Sequence, residues 1–370
     1  MSQPPFTAIV DGLPETVPFV GPEALERQLG RPFLARLGAN ESGFGPSPRV
    51  IAAMAEAASG VWRYPDPENH ALRHALAARL GVAADEIAIG EGIDGLMGQT
   101  VRLFFEPGDI LATSLGAYPT LNYHIAGFGG QLRTVPYRHV HEDLDGLAEL
   151  ARETGARMVY LANPDNPMGS WWPADAVDRF MDRLPENCLF MLDEAYGETA
   201  PAGTMPAIDT ARPNVLRMRT FSKAFGLAGM RVGYAIGNRR LIRAFDRIRN
   251  HFGVNRMGQV AALAALEDQD YLERAVAAIA GARDRIGAIA AENGLTALPS
   301  ATNFVAVDCG RDGPFAVAVL EALAREGVFV RKPSAPGLDQ HIRISVGPDD
   351  ALDILAAALP RALHSAQGAA

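Results

Sequence analysis

Cysteine is scarce in this chain: its 370 residues hold two, Cys188 and Cys309. Each lies in an apolar, strand-like run, where a thiol acts as a small hydrophobe, so neither a disulfide framework nor a thiolate metal site is expected. No apolar run approaches the roughly 20 residues that span a bilayer, because Arg, Glu and Asp interrupt the alanine-rich segments. Residues 1–20 lack a basic start and an apolar core, which argues against a secretory signal. There is no tandem repeat and no low-complexity linker. Positive charge is also in short supply: 34 Lys and Arg against 43 Asp and Glu leave a net charge of −9. That balance disfavours nucleic acid and anionic membrane as partners, and the cytoplasm is the expected compartment.

What is present is the material of a two-lobed α/β protein. A chain of this length outgrows a single hydrophobic core. Apolar strands alternate with amphipathic helices from residue 87 to residue 236, the pattern of a mainly parallel sheet buried on both faces. Three helical segments follow, over 239–252, 255–266 and 271–293, and the last is long enough to bridge two lobes. Residues 301–363 then read strand, helix, strand, strand, helix, an α+β unit that the N-terminal arm is expected to complete. The expected division is an arm over 1–45 belonging to the small lobe, a large lobe over 46–270 and a small lobe over 271–370.

Four strand ends in the large lobe carry polar groups. Gly90-Glu91-Gly92-Ile93-Asp94 is a glycine-rich turn from a strand into a helix expected from residue 96, and such a turn offers free backbone N–H groups to an anion. The strand at 158–162 runs into Asn163-Pro164-Asp165-Asn166-Pro167-Met168-Gly169, and that at 188–192 into Asp193-Glu194-Ala195-Tyr196. A helix cap would explain one acid there, but not an Asp with a Tyr three residues on. The strand at 215–219 leads into Thr220-Phe221-Ser222-Lys223-Ala224-Phe225-Gly226-Leu227, with Arg231 eight residues beyond the lysine. In a parallel sheet these ends meet along one edge.

Phe221, Phe225 and Leu227 bracket Lys223. Desolvation lowers an amine's pKa and frees its lone pair, so this setting suits a nucleophile, while the stretch by itself leaves a solvated surface lysine on a loop equally open. The hydroxyls of Thr220 and Ser222 and the guanidinium of Arg231 suit a phosphate beside that amine. An amine for an aldehyde and an anchor for a phosphate are what pyridoxal 5'-phosphate requires. Its other needs find candidates too. Asp193 suits the ring nitrogen, Asn166 and Tyr196 the phenolic oxygen, the turn of Gly92, Ile93 and Asp94 the phosphate, and Tyr118 the ring face.

On these residues the chain resembles the pyridoxal-phosphate-dependent aminotransferases of class I and II, fold type I, and within them the histidinol-phosphate aminotransferase branch. Further stretches carry the resemblance: Asn40-Glu41-Ser42-Gly43-Phe44-Gly45-Pro46-Ser47-Pro48, Tyr64-Pro65-Asp66, Asn255-Arg256-Met257-Gly258-Gln259, Asn303-Phe304 and Arg343-Ile344-Ser345-Val346-Gly347. They span nearly the whole chain in the family's order. The resemblance implies an aspartate aminotransferase-like fold. It implies an amino group moved from an amino acid or amino-phosphate donor to a 2-oxo acid, with Lys223 as the catalytic base. It also implies that Arg343 grips a substrate anion, with Asn40, Phe44, Asn303 and Arg331 beside the substrate. A homodimer is implied as well, in which Tyr64 of one subunit reaches the cofactor phosphate of the other.

The chain departs from the family pattern where it would face substrate. Ile93 stands where Ser is common in the phosphate turn, and Ser42-Gly43 replaces Asn-Pro. The run Gly116-Ala117-Tyr118-Pro119-Thr120 leaves Thr120 or Tyr123 as alternatives to Tyr118 for the stacking position. Met168, Trp171 and Trp172 are unusual around the Asn-Pro turn. The donor therefore stays open between histidinol phosphate and aromatic or other amino acids, and a decarboxylase, lyase or oxidase on the same scaffold is the alternative chemistry. A nicotinamide enzyme using the Gly90 turn would explain neither Lys223 nor Asp193. A cofactor-binding DNA regulator would need a basic domain for which the acidic chain has no room.

Overall fold

The computed structural model describes residues 4–15 and 20–369, so residues 1–3 and 16–19 of the expected arm, and residue 370, lie outside the described residues. In chain order the strands are β1 (Ala35–Arg36), β2 (Ile87–Gly90), β3 (Ile110–Ser114), β4 (Gln131–Val135), β5 (Met158–Ala162), β6 (Leu189–Asp193), β7 (Val215–Thr220), β8 (Gly233–Gly237), β9 (Thr296–Ala297), β10 (Phe304–Asp308), β11 (Val328–Phe329) and β12 (His341–Ser345). Seven of them form one sheet in the order β2-β8-β7-β6-β5-β3-β4. Only β8 runs against its neighbours, pairing antiparallel with both β2 and β7. The C-terminal ends of β2, β5, β6 and β7 therefore open on the same edge.

Helices cover both faces of this sheet, which is why every residue of β5 and of β6 is buried. On one face Tyr160, Met191 and Met218 pack with Leu96, Met97 and Val101 of the helix Gly92–Phe104. On the other, Val159, Leu161, Phe190 and Leu192 pack with Leu147 and Phe180. Each such fully buried side chain contributes about 1.5–3 kcal/mol relative to exposure.

The smaller unit is built around β10, antiparallel to β12 and β9. Beside it β1, from the N-terminal segment, runs parallel to β11 with Ala35 opposite Val328. The helix Gln269–Glu292 ties this unit to the large sheet's edge: Arg283 donates to the carbonyls of Thr302 at 3.2 Å and Thr199 at 3.5 Å. A continuous apolar cluster joins Phe221 and Leu227 to Ile279, Val305, Ile342 and Leu359.

Two helix boundaries near the site differ from the sequence expectation. The helix expected from residue 96 begins at Gly92, so the glycine-rich turn is its first turn. The helix expected to run to 252 ends at Phe245. Beyond it Arg249 donates to the carbonyl of Pro67 at 2.7 Å, and a Cβ at Gly253 would strike the Glu91 carboxylate. This irregular segment stacks Phe252 on Tyr64, with ring centroids 4.5 Å apart.

Candidate active site

The strand ends enclose a cavity of about 240 Å³. Lys223, just beyond β7, projects into it. Behind the lysine, Phe221 and Phe225 pack ring against ring at 4.8 Å, and both are buried with Leu227. The Lys223 Nζ donates to the carbonyl of Asn40 at 3.2 Å and lies 5.5 Å from the Tyr196 ring centroid. Burial, and then the positive charge of Arg343, pull its pKa from 10.5 down to about 8.

Asp193 ends β6 on the floor of the cavity. Its Oδ1 accepts the Ala195 N–H at 2.9 Å and its Oδ2 accepts the Tyr160 hydroxyl at 2.8 Å. Burial outweighs these donors and raises its pKa to about 6. The adjacent Glu194 points to the opposite face, as strand alternation requires. There it is fully buried between Arg217, whose Nε lies 2.9 Å from Oε1, and Arg219, whose Nε lies 2.8 Å from Oε2. Of the two acids, Asp193 lines the cavity and Glu194 braces the sheet. Tyr196 accepts the Asn40 side-chain amide on its hydroxyl at 3.0 Å.

At the β2 and β7 ends the polar groups converge on one corner. Arg231 donates to the Ser222 hydroxyl at 3.3 Å and to Asp94 Oδ2 at 3.4 Å, while the Thr220 hydroxyl donates to that of Ser222 at 2.9 Å. Arg231 itself has φ +55°, an uncommon left-handed conformation for a side-chain-bearing residue. Gly92 has φ +75°, and a Cβ there would sit 2.5 Å from the Arg231 guanidinium. Tyr118 donates its hydroxyl to Asp94 Oδ1 at 3.0 Å, and burial followed by the Asp94 charge raises its pKa. Tyr118 and Ile93 line the cavity; Thr120 and Tyr123 do not.

Asn166 lines the side facing the small unit. Its Oδ1 accepts from Arg343 Nη1 at 2.5 Å, and Arg343 Nη2 also reaches the carbonyl of Gly38 at 3.4 Å. The Arg343 Nε is buried without a partner, and its guanidinium carbon lies 5.2 Å from the Phe304 ring centroid. Arg331 is paired with Arg343 through their backbones, and its side chain reaches the carbonyl of Val20. Asn303 is fully buried and donates to the carbonyls of Asn40 at 2.9 Å and Glu41 at 3.3 Å.

Asn40, Phe44, Tyr64, Gly92, Asn303, Arg331 and Arg343, all named from the sequence, are not among the residues that line the cavity. Phe44 packs on the apolar cluster and gives its carbonyl to the Tyr271 hydroxyl at 3.1 Å. Tyr64 lies on the surface, 77% exposed. Sequence reasoning missed Tyr160 and Glu41, both of which line the cavity. Tyr160 carried a signal: a tyrosine in the middle of an otherwise apolar buried strand needs a partner for its hydroxyl.

These residues fit pyridoxal 5'-phosphate. A buried amine of lowered pKa, a carboxylate on the floor and a corner of hydroxyls, guanidinium and helix N-terminus surround one cavity, beside an arginine with a buried N–H to spare. The family comparison agrees with the geometry. The model for aminotransferase class I and II matches residues 34–359, and the chain belongs to that family. Among solved structures it is similar to the histidinol-phosphate aminotransferase of Sinorhizobium meliloti in complex with pyridoxal-5'-phosphate. The identity is 56%, with 98% of this chain and 99% of that one covered and a TM-score of 0.95. It is 38% identical to the histidinol-phosphate aminotransferase of an Anaeromyxobacter species, over 88% of this chain and 90% of that protein. It is 36% identical to histidinol-phosphate aminotransferase 2 of Pseudomonas fluorescens, over 88% and 87%.

Proposed function

We propose that this aminotransferase works with pyridoxal 5'-phosphate, takes histidinol phosphate or a closely similar amino-phosphate or amino acid as donor, and passes the amino group to a 2-oxo acid. The observation that carries this is the placement of the Lys223 amine and the Asp193 carboxylate in one cavity with the arginines of both lobes beside it. Relatives that match 98% and 88% of this chain carry histidinol phosphate in their names.

When bound, the cofactor supplies an electron sink for the substrate carbon that loses its proton. Lys223, with its pKa lowered to about 8, holds or releases a proton at Nζ, which suits a base moving it between substrate atoms. Asp193 stands for the ring nitrogen, and Asn166 and Tyr196 for the phenolic oxygen. Tyr118 would lie against the ring, and Thr220, Ser222, Arg231 and the first helical turn of Gly92, Ile93 and Asp94 would hold the phosphate. Arg343 meets the substrate's anionic group by exchanging its bond to Asn166 for a two-pronged one. Asn40, Phe44, Asn303 and Arg331 shape the mouth around it.

We assign residues 1–45 and 271–370 to the substrate-closing small lobe and 46–270 to the cofactor lobe. The assembly is a homodimer in which Tyr64 of a second copy completes the phosphate site. Two free, buried thiols accord with a reducing, cytoplasmic setting. Among the described residues no helix is long and apolar enough to cross a membrane.

The test is a panel of amino donors, histidinol phosphate and aromatic amino acids included, added to the cofactor-loaded protein. The yellow absorbance should bleach with the true donor and return with a 2-oxo acid. Release of CO2 or consumption of O2 instead would replace the transaminase reading with a decarboxylase or an oxidase.

A further inference from the structure

We propose that Tyr160 is a positioning residue for the reaction, holding Asp193 ionised and aimed at the cofactor's ring nitrogen; the inference rests on the function proposed above. Tyr160 sits in the middle of β5, opposite Met191 of β6, and its side chain reaches two residues along the neighbouring strand to Asp193. It is 1% exposed. Its neighbours Met158, Val159, Leu161 and Ala162 are all apolar, so a phenylalanine would pack in its place equally well. The hydroxyl is therefore what distinguishes tyrosine here, and it donates to Asp193 Oδ2 at 2.8 Å.

Asp193 needs that donor. No arginine or lysine forms an ion pair with it among the described residues; each oxygen has one hydrogen bond, from Tyr160 on Oδ2 and from the Ala195 backbone on Oδ1. A buried carboxylate with one donor removed is driven toward its neutral form, because unpaired charge is the most expensive group to bury. A neutral Asp193 no longer keeps the ring nitrogen protonated. The two fixed donors also leave one set of lone pairs free toward the cavity, which sets the carboxylate's angle. The backbone beneath is held as well, since the Thr113 hydroxyl donates to the Tyr160 carbonyl at 3.3 Å.

The test is Tyr160→Phe in the cofactor-loaded full chain, alone and combined with Asp193→Asn. The single variant should keep its yellow colour, because Lys223 is intact. Its affinity for the cofactor should fall about tenfold or more and kcat by a similar factor, the effect of one hydrogen bond to a charged group. The donor KM should stay within about twofold, since Arg343 is untouched. The pH profile of the visible band should shift, which a packing defect would not produce. In the Asp193→Asn background the Tyr160→Phe change should cost little more, because both act through one carboxylate. Wild-type values in the single variant, or losses that simply multiply in the double, would overturn the proposal. A wild-type chain that takes up no cofactor would instead overturn the function on which it rests.

Discussion

The carbonyl oxygen of Asn40 accepts two donors at once, the Lys223 Nζ at 3.2 Å and the Asn303 side-chain amide at 2.9 Å. The first comes from the large sheet and the second from the small unit, so one backbone oxygen joins both to the segment between them. Asn40 sits at φ +55°, with its own side chain tied to Tyr196 and Ser345. Asn303→Ala should therefore cost about 1–3 kcal/mol, the penalty for removing a buried hydrogen-bonding partner. Asn303→Asp should cost more, because a carboxylate would then face the carbonyls of Asn40 and Glu41. Urea denaturation of the three proteins checks the order.

Gly92 and Arg231 make a second dependence, one of space. Alanine at 92 would adopt φ +75° against its preference, at about 1–2 kcal/mol, and would place its Cβ 2.5 Å from the guanidinium. The Arg231 side chain is 44% exposed and can swing outward, so the fold should survive. Displacing it removes a charged donor from the corner proposed for the phosphate, however. Gly92→Ala should weaken cofactor binding by about tenfold or more while shifting Tm by only a few degrees. Equilibrium dialysis and a thermal scan separate the two effects.

Much of this site was legible in the sequence because strand ends in a parallel sheet must meet. Asp193, Asn166 and Lys223 stand at the ends of β6, β5 and β7 and were found by that rule. Tyr160 was missed because a strand with every residue buried gives no alternation, and a tyrosine there reads as one more apolar side chain. Glu194 and Asp193 could not be told apart by type. Only the strand's phase, which sends one into the cavity and the other between Arg217 and Arg219, distinguishes them. The break at Phe245 escaped notice because its cause is tertiary: Arg249 is held by the distant carbonyl of Pro67.

The buried amine and the buried acid make stability depend on pH in opposite senses. Lys223 has its pKa lowered from 10.5 to about 8, so the unfolded chain binds more protons between those values and stability rises with pH across that window. Below about pH 8 the full cost of burying the ammonium is present. Asp193 has its pKa raised from 3.8 to about 6, so the folded chain binds more protons in between and stability falls as pH rises through that window. Without cofactor, Lys223→Met and Asp193→Asn should each be more stable than the parent at pH 7, by on the order of 2 kcal/mol. The advantage of the first should shrink toward pH 10 and that of the second should vanish below pH 4, each tracing its own window. Denaturant midpoints measured across pH would show both slopes.

The proposed homodimer would bury the surface around Tyr64 against a second copy of the chain. Tyr64 is 77% exposed, its neighbour Trp62 is 81% exposed, and Phe252 stacks on the tyrosine from the irregular segment beyond Phe245. Large aromatics held outward in one patch mark an interaction surface. A subunit with Lys223→Ala lacks the proposed base but still carries Tyr64; a subunit with Tyr64→Ala has the converse defect. If the site is shared, a mixed dimer holds one site with both residues and one with neither. Random pairing of equal amounts makes half of the dimers mixed, so about a quarter of the wild-type number of complete sites should return. Co-refolding the two variants and assaying transamination reads this directly. Activity no greater than the sum of the separate variants would mean that each chain's site is self-contained.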